Sequence, residues 1–167
     1  MHLHTKYTAF NSRDARGFTL VEVLVALVVL SIGLLGMAKM VMVSSHSNDS
    51  AYLRSQATAL AYQAMDSMRA NLQASTTNGY ITGMGVMPAP AGNCSAYCPP
   101  ATLALSDVYG WKQHLKAALP SGTGSIATTA TFPVLATVVV QWDDSAAQSV
   151  FNAAANNQQI TLQTVLQ

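Results

Sequence analysis

Arg16-Gly17-Phe18-Thr19-Leu20-Val21-Glu22 opens an apolar run that continues to Ala38. Phe18–Ala38 holds 21 residues, and Glu22 is the only charged side chain among them. As a helix this run is about 31 Å long, enough to cross a hydrocarbon core of about 30 Å. A carboxylate in such a span costs about 2.5–3.5 kcal/mol at the centre and less near the interface. Glu22 therefore calls for a partner or a task.

The residues before the run have no apolar core of their own, so Met1–Gly17 is not an ordinary secretory signal. It carries Lys6, Arg13 and Arg16 against Asp14, a net of +2 within a chain of net +1, which leaves residues 18–167 at −1. Basic residues just before a span favour a cytoplasmic N-terminus, placing the C-terminal domain across the membrane. One reading of Met1–Gly17 is the cytoplasmic tail of a permanently anchored protein. The other, which the family resemblance given below implies, is a leader clipped after Gly17, where a glycine without a Cβ lets the backbone approach two catalytic carboxylates closely.

Beyond Lys39 the helix is expected to continue through the polar patch Ser44–Ser50. Leu53, Ala57, Leu60, Ala64, Met68 and Leu72 then form one apolar stripe of helical period, suited to packing on a sheet. A helix from Thr19 to about Ala74 would be about 84 Å long. Gly33 and Gly36 soften it or allow close helix packing. Ser75-Thr76-Thr77-Asn78-Gly79 ends it. Gly79–Pro100, rich in Gly and Pro, reads as a loop.

Ser106-Asp107 is expected to cap a second helix whose inner face is Val108, Trp111, Leu115 and Leu119, with Lys112 and Lys116 on the solvent side and Pro120 as the stop. Three strands follow, at Ser125–Phe132, Val134–Trp142 and Gln159–Leu166, with a short helical turn expected around Ala147–Ala154. Asp143-Asp144 is a strand-end turn former without the spacing of a calcium loop. The fold class is α+β. Residues 1–17 form the leader, 18–44 the membrane half of the helix, and 45–167 a head domain that includes the helix's amphipathic half.

Charged residues make up only 9% of the chain, and the net charge of +1 gives no basic field for nucleic acid, so no direct nucleic-acid binding is expected. No phosphate-binding glycine loop, Gly-x-Ser-x-Gly or His-Glu-x-x-His occurs, and the chain is not expected to be an enzyme or to need a cofactor. The two cysteines, Cys94 and Cys98, are too few for structural zinc unless His114 joins them, so no metal site is expected. An oxidising compartment permits a Cys94–Cys98 disulfide, worth about 2 kcal/mol for so short a loop.

The sequence Gly17-Phe18-Thr19-Leu20-Val21-Glu22 and the apolar helix after it resemble the N-terminal signal of type IV pilins. The strong part covers Gly17–Ala38, and the continuation is most like the family's minor pilins. A weaker likeness extends to the Trp111 helix and Val138–Asp144. The resemblance implies a pilin-like fold, a long N-terminal helix packed on a small antiparallel sheet. It implies cleavage between Gly17 and Phe18 by a prepilin peptidase, N-methylation of Phe18, and a subunit-contact role for Glu22. It also implies partners: inner-membrane lipid, the major pilin, other minor pilins and a tip adhesin. Before assembly the protein would span the bacterial inner membrane once, with a periplasmic head. Afterwards it would sit at the pilus tip on the cell surface, serving twitching, adhesion or DNA uptake. Pilins usually carry their disulfide across a longer C-terminal loop, and this chain departs from that. A type II secretion pseudopilin shares the same signal, and a non-polymerising single-pass binding protein is the alternative of a different class.

Overall fold

The computed structural model describes residues 17–90, 92, 94, 97–145 and 157–166. Residues 1–16 of the expected 1–17 leader and the turn expected around Ala147–Ala154 lie outside them. The chain divides into two compact units, Met1–Val41 and Met42–Gln167.

Helix α1 runs Leu20–Ala70 and a short helix α2 runs Leu72–Thr76. In the first unit, the α1 residues from Leu20 to Val41 are all exposed. The helix is long and apolar enough to cross a membrane, with a mean hydropathy of 2.6 over its most apolar window. A lipid-facing backbone can satisfy its polar groups in this way because every bond lies within the helix. Gly33 and Gly36 have open space where a Cβ would stand.

In the second unit, α1 and α3 (Pro100–Ala118) share a core with one face of a three-stranded antiparallel sheet. Strands β1 (Thr123–Thr128), β2 (Val134–Asp143) and β3 (Asn157–Leu166) are ordered β1-β2-β3. Their registers include Ile126 opposite Val138 and Val140 opposite Ile160. Alternation sends Ala136, Val138, Val140 and Trp142 of β2 inward. Val108, Trp111, Leu115 and Leu119 are buried as their spacing predicts. Trp111 Nε1 donates to the Leu60 carbonyl at 2.9 Å, so its one polar atom is satisfied against α1.

Several boundaries differ from expectation. The buried face of α1 is Ala57, Ala61, Ala64, Met65 and Met68, whereas Leu53 and Leu60 flank it and Leu72 is exposed. The cause is a break at Asn71. Its side chain accepts from Ala74 N to start α2 and donates to the Pro100 carbonyl at 2.8 Å. The break resets the helical phase, so Leu72 no longer continues the stripe. Ser75 Oγ donates to the Met68 carbonyl at 2.7 Å across it. Past Thr77, Asn78 takes φ 65° and Gly79 N donates back to Ala74 O at 2.8 Å. Asn tolerates this left-handed position better than most residues.

Helix α3 starts six residues before the expected Ser106-Asp107 cap. Pro100 sits at its N1 position, where a missing N–H costs nothing. Asp107 is instead inside the helix and accepts from the buried Tyr80 hydroxyl at 2.5 Å. Strand β1 stops at Thr128 because Thr129 already pairs with Leu135, closing a hairpin whose tip carries Phe132 exposed. Lys112 is the clearest correction: it is buried, not on the solvent side, and Nζ donates to the carbonyls of Gly83 and Gly124.

Candidate functional site

The residues singled out by the sequence lie at the start of α1. Gly17 and Phe18 precede the helix in non-helical conformation, and Phe18 is 83% exposed. Thr19 is the residue just outside the helix. Its hydroxyl oxygen accepts from Glu22 N at 3.3 Å, and its carbonyl accepts from Val23 N at 3.3 Å. A Thr whose side chain meets the backbone N–H three residues on is the N-cap arrangement, worth about 1 kcal/mol. Thr19-Leu-Val-Glu22 therefore has the Thr-x-x-Glu spacing of a capping box, a signal already visible in the sequence.

The cap fixes where Glu22 stands. It places the carboxylate residue in the first helical turn, beside the positive end of the helix dipole. Phe18 and Glu22 border a shallow groove of about 460 Å³ with Val23, Ala26, Leu27 and Leu30. The spacing 18, 22, 26, 30 is one face of the helix, and small Ala26 makes the dip between Glu22 and Leu30. Among the described residues Glu22 is the one ionisable side chain in this lining. The large apolar residues around it in the first unit's helix are exposed. A surface of this kind in a single chain is complete only when lipid or other apolar helices cover it.

Cys94 and Cys98 are joined, with Cα atoms 5.3 Å apart, in the loop before α3. They are remote in sequence from the α1 start and take no part in its groove. Among the described residues no group of three His, Cys, Asp or Glu is placed to hold a metal. His114 lies near Gln63, with Nδ1 and Nε2 of the two side chains 3.3 Å apart.

Residues 12–38 match the family model described as the prokaryotic N-terminal methylation motif. The chain carries a prepilin-type methylation motif. The match contains the Gly17-Phe18 junction, the Thr19 cap, Glu22 and the apolar helix. The motif indicates a type IV pilin-like or pseudopilin protein and so points to a structural role. No curated protein and no solved structure matches the chain. The motif is consistent with processing by prepilin peptidase, assembly with other pilins and membrane anchoring. The helix-on-sheet head gives it an α+β pilin-like arrangement.

Proposed function

We propose that the protein is a minor pilin of the PilV type, a low-abundance subunit that joins a tip or priming complex and promotes pilus assembly. The observation that carries this reading is the methylation motif seated on a capped, exposed apolar helix with a single carboxylate in its first turn. In the proposed sequence of events, the peptidase cuts after Gly17 and the new Phe18 amine is methylated. The amine remains able to hold a proton. That cation sits at the positive end of a helix dipole in an apolar setting, both of which disfavour it. Glu22 offsets the charge, and pairing relieves the cost each ion bears alone in lipid. In the filament, Glu22 of a resident subunit receives the Phe18 amine of an incoming one and sets axial register.

The motif is shared with type II secretion pseudopilins, so the head domain must separate the two. Mass analysis of the N-terminus of protein recovered from sheared pili tests both steps. Methylated Phe18 in the pilus fraction is the expected result. Retention of Met1 in assembled filaments would refute processing, and recovery only with a secretion complex would favour the pseudopilin. Gly17→Val should block cleavage by placing a branched side chain at the bond.

A further inference from the structure

The C-terminal half of α3, the start of β1 and the loop residues near Val86 enclose a cleft of about 350 Å³. It is lined by Val86 and Met87, by Lys112 and Lys116 of α3, and by Ser121 and Thr123. Among the described residues no carboxylate lines it.

Lys112 is only 3% exposed. Its Nζ donates to Gly83 O at 2.8 Å and to Gly124 O. An ammonium has three N–H donors, and these two carbonyls use two of them. Both are neutral, so the charge itself is not compensated by them. Burial, and after it the charge of Lys116, lower the Lys112 pKa to about 8. Lys116 stands one turn further on and is exposed. Like charges at this spacing repel. The C-terminal end of α3 supplies a partial charge of about −0.5, too little to offset two full cations.

The walls of the cleft are held in place by the protein alone. Gly85 N donates to Thr123 Oγ1 at 2.8 Å, and Gly122 N donates to Leu119 O at 3.0 Å. Ser121 takes φ 51°, and a Cβ on Gly122 would collide with the Leu115 carbonyl. The turn thus lies directly on the end of α3.

We propose that this cleft binds a small oxyanion, a carboxylate or a phosphate, between Lys112 and Lys116. An anion there takes the remaining Lys112 donor, meets Lys116, and turns a repulsive pair into an attractive triad. The Val86–Met87 lining accepts a short hydrocarbon stem on a carboxylate. This site is independent of the filament reading, which stands or falls on the N-terminus.

The test uses full-length protein in detergent micelles, with amide NMR shifts of Gly122 and Thr123 as the signal. Sodium phosphate and sodium butanoate are titrated separately against sodium chloride at equal ionic strength. Saturable shifts are expected with at least one of the two. Saturation by phosphate alone assigns a phosphate site, and saturation by butanoate a carboxylate site. Lys116→Gln, at an exposed position that leaves the fold intact, should weaken binding about tenfold. Shifts that merely follow ionic strength, or saturation unchanged in Lys116→Gln, would overturn the proposal.

Discussion

Gly124 and Gly110 are both glycines inside regular elements, and the structure gives them opposite fates on substitution by alanine. Gly124 lies in β1 beneath α3. A Cβ added there would stand 2.7 Å from Trp111 Cη2, 2.7 Å from the Val139 carbonyl oxygen and 3.0 Å from Leu115 Cδ1. Ordinary contact begins near 3.4 Å, so the neighbours must retreat by about 0.7 Å. Neither near neighbour can do so freely. Val139 is part of the paired strand, and Trp111 is tied by Nε1 to α1. Overpacking of this kind costs about 1–3 kcal/mol. Removing a glycine from a strand returns about 0.5–1 kcal/mol. The net for Gly124→Ala is a loss of up to about 2.5 kcal/mol, centred on about 1 kcal/mol, or about 2–4 °C in Tm at that centre for a chain of this size. Gly110 is mid-helix in α3, with nothing within 4 Å of an added Cβ. Gly110→Ala should gain about 1 kcal/mol from helix propensity, raising Tm by about 2–4 °C. Thermal unfolding of the full chain in detergent, followed by near-ultraviolet circular dichroism, reads both. The chain's two tryptophans, Trp111 and Trp142, are buried in the head and report on it directly. A Gly124→Ala protein melting at or above the parent, with Gly110→Ala behaving as expected, would refute the packing of α3 on β1.

Tyr80→Phe removes a hydroxyl that donates to Asp107 Oδ2 at 2.5 Å and lies 3.1 Å from Ser67 O; it should cost about 1–3 kcal/mol, measurable by urea unfolding. The head should also gain stability as pH rises from about 8 toward 10. Lys112 releases its proton near 8 when folded but only near 10.5 when unfolded, so the unfolded chain binds more protons in that window. Above pH 10 the trend should reverse, because burial, with the Asp107 hydrogen bond, pushes the Tyr80 phenol up and the folded state keeps a proton the unfolded state loses. Melting temperatures across that range, with Lys112→Met flattening the rise, check both signs. Glu22→Ala should still be inserted and cleaved after Gly17 but fail to enter filaments; crosslinking that captures it with partner pilins at the normal level would remove the assembly role.

What sequence alone decided is what depends on near neighbours along the chain. The charge of residues 1–17, the Gly17-Phe18 junction, Glu22 in an apolar run and the helical length of that run are all local. An apolar run and a short motif are legible along the chain itself, with no tertiary contact required. The inward faces of α3 and β2 were legible for the same reason. Trp111 and its partners at helical spacing, and Val138, Val140 and Trp142 at period two, declare a face that must be buried somewhere.

Tertiary structure decided the rest. The phase of the α1 stripe depended on Asn71 finding the Pro100 carbonyl, a partner 29 residues away. The start of α3 depended on a Pro read as a loop residue that serves as a first helical turn. Lys112, at a position where helical spacing allows either solvent or a flank, was drawn inward by two carbonyls from the Gly83 loop and β1. Its burial joins it with Lys116 in a cleft that no local pattern announces. Periodicity along one element tells which side is apolar, but a charged side chain is buried or solvated according to which polar groups other segments bring to it.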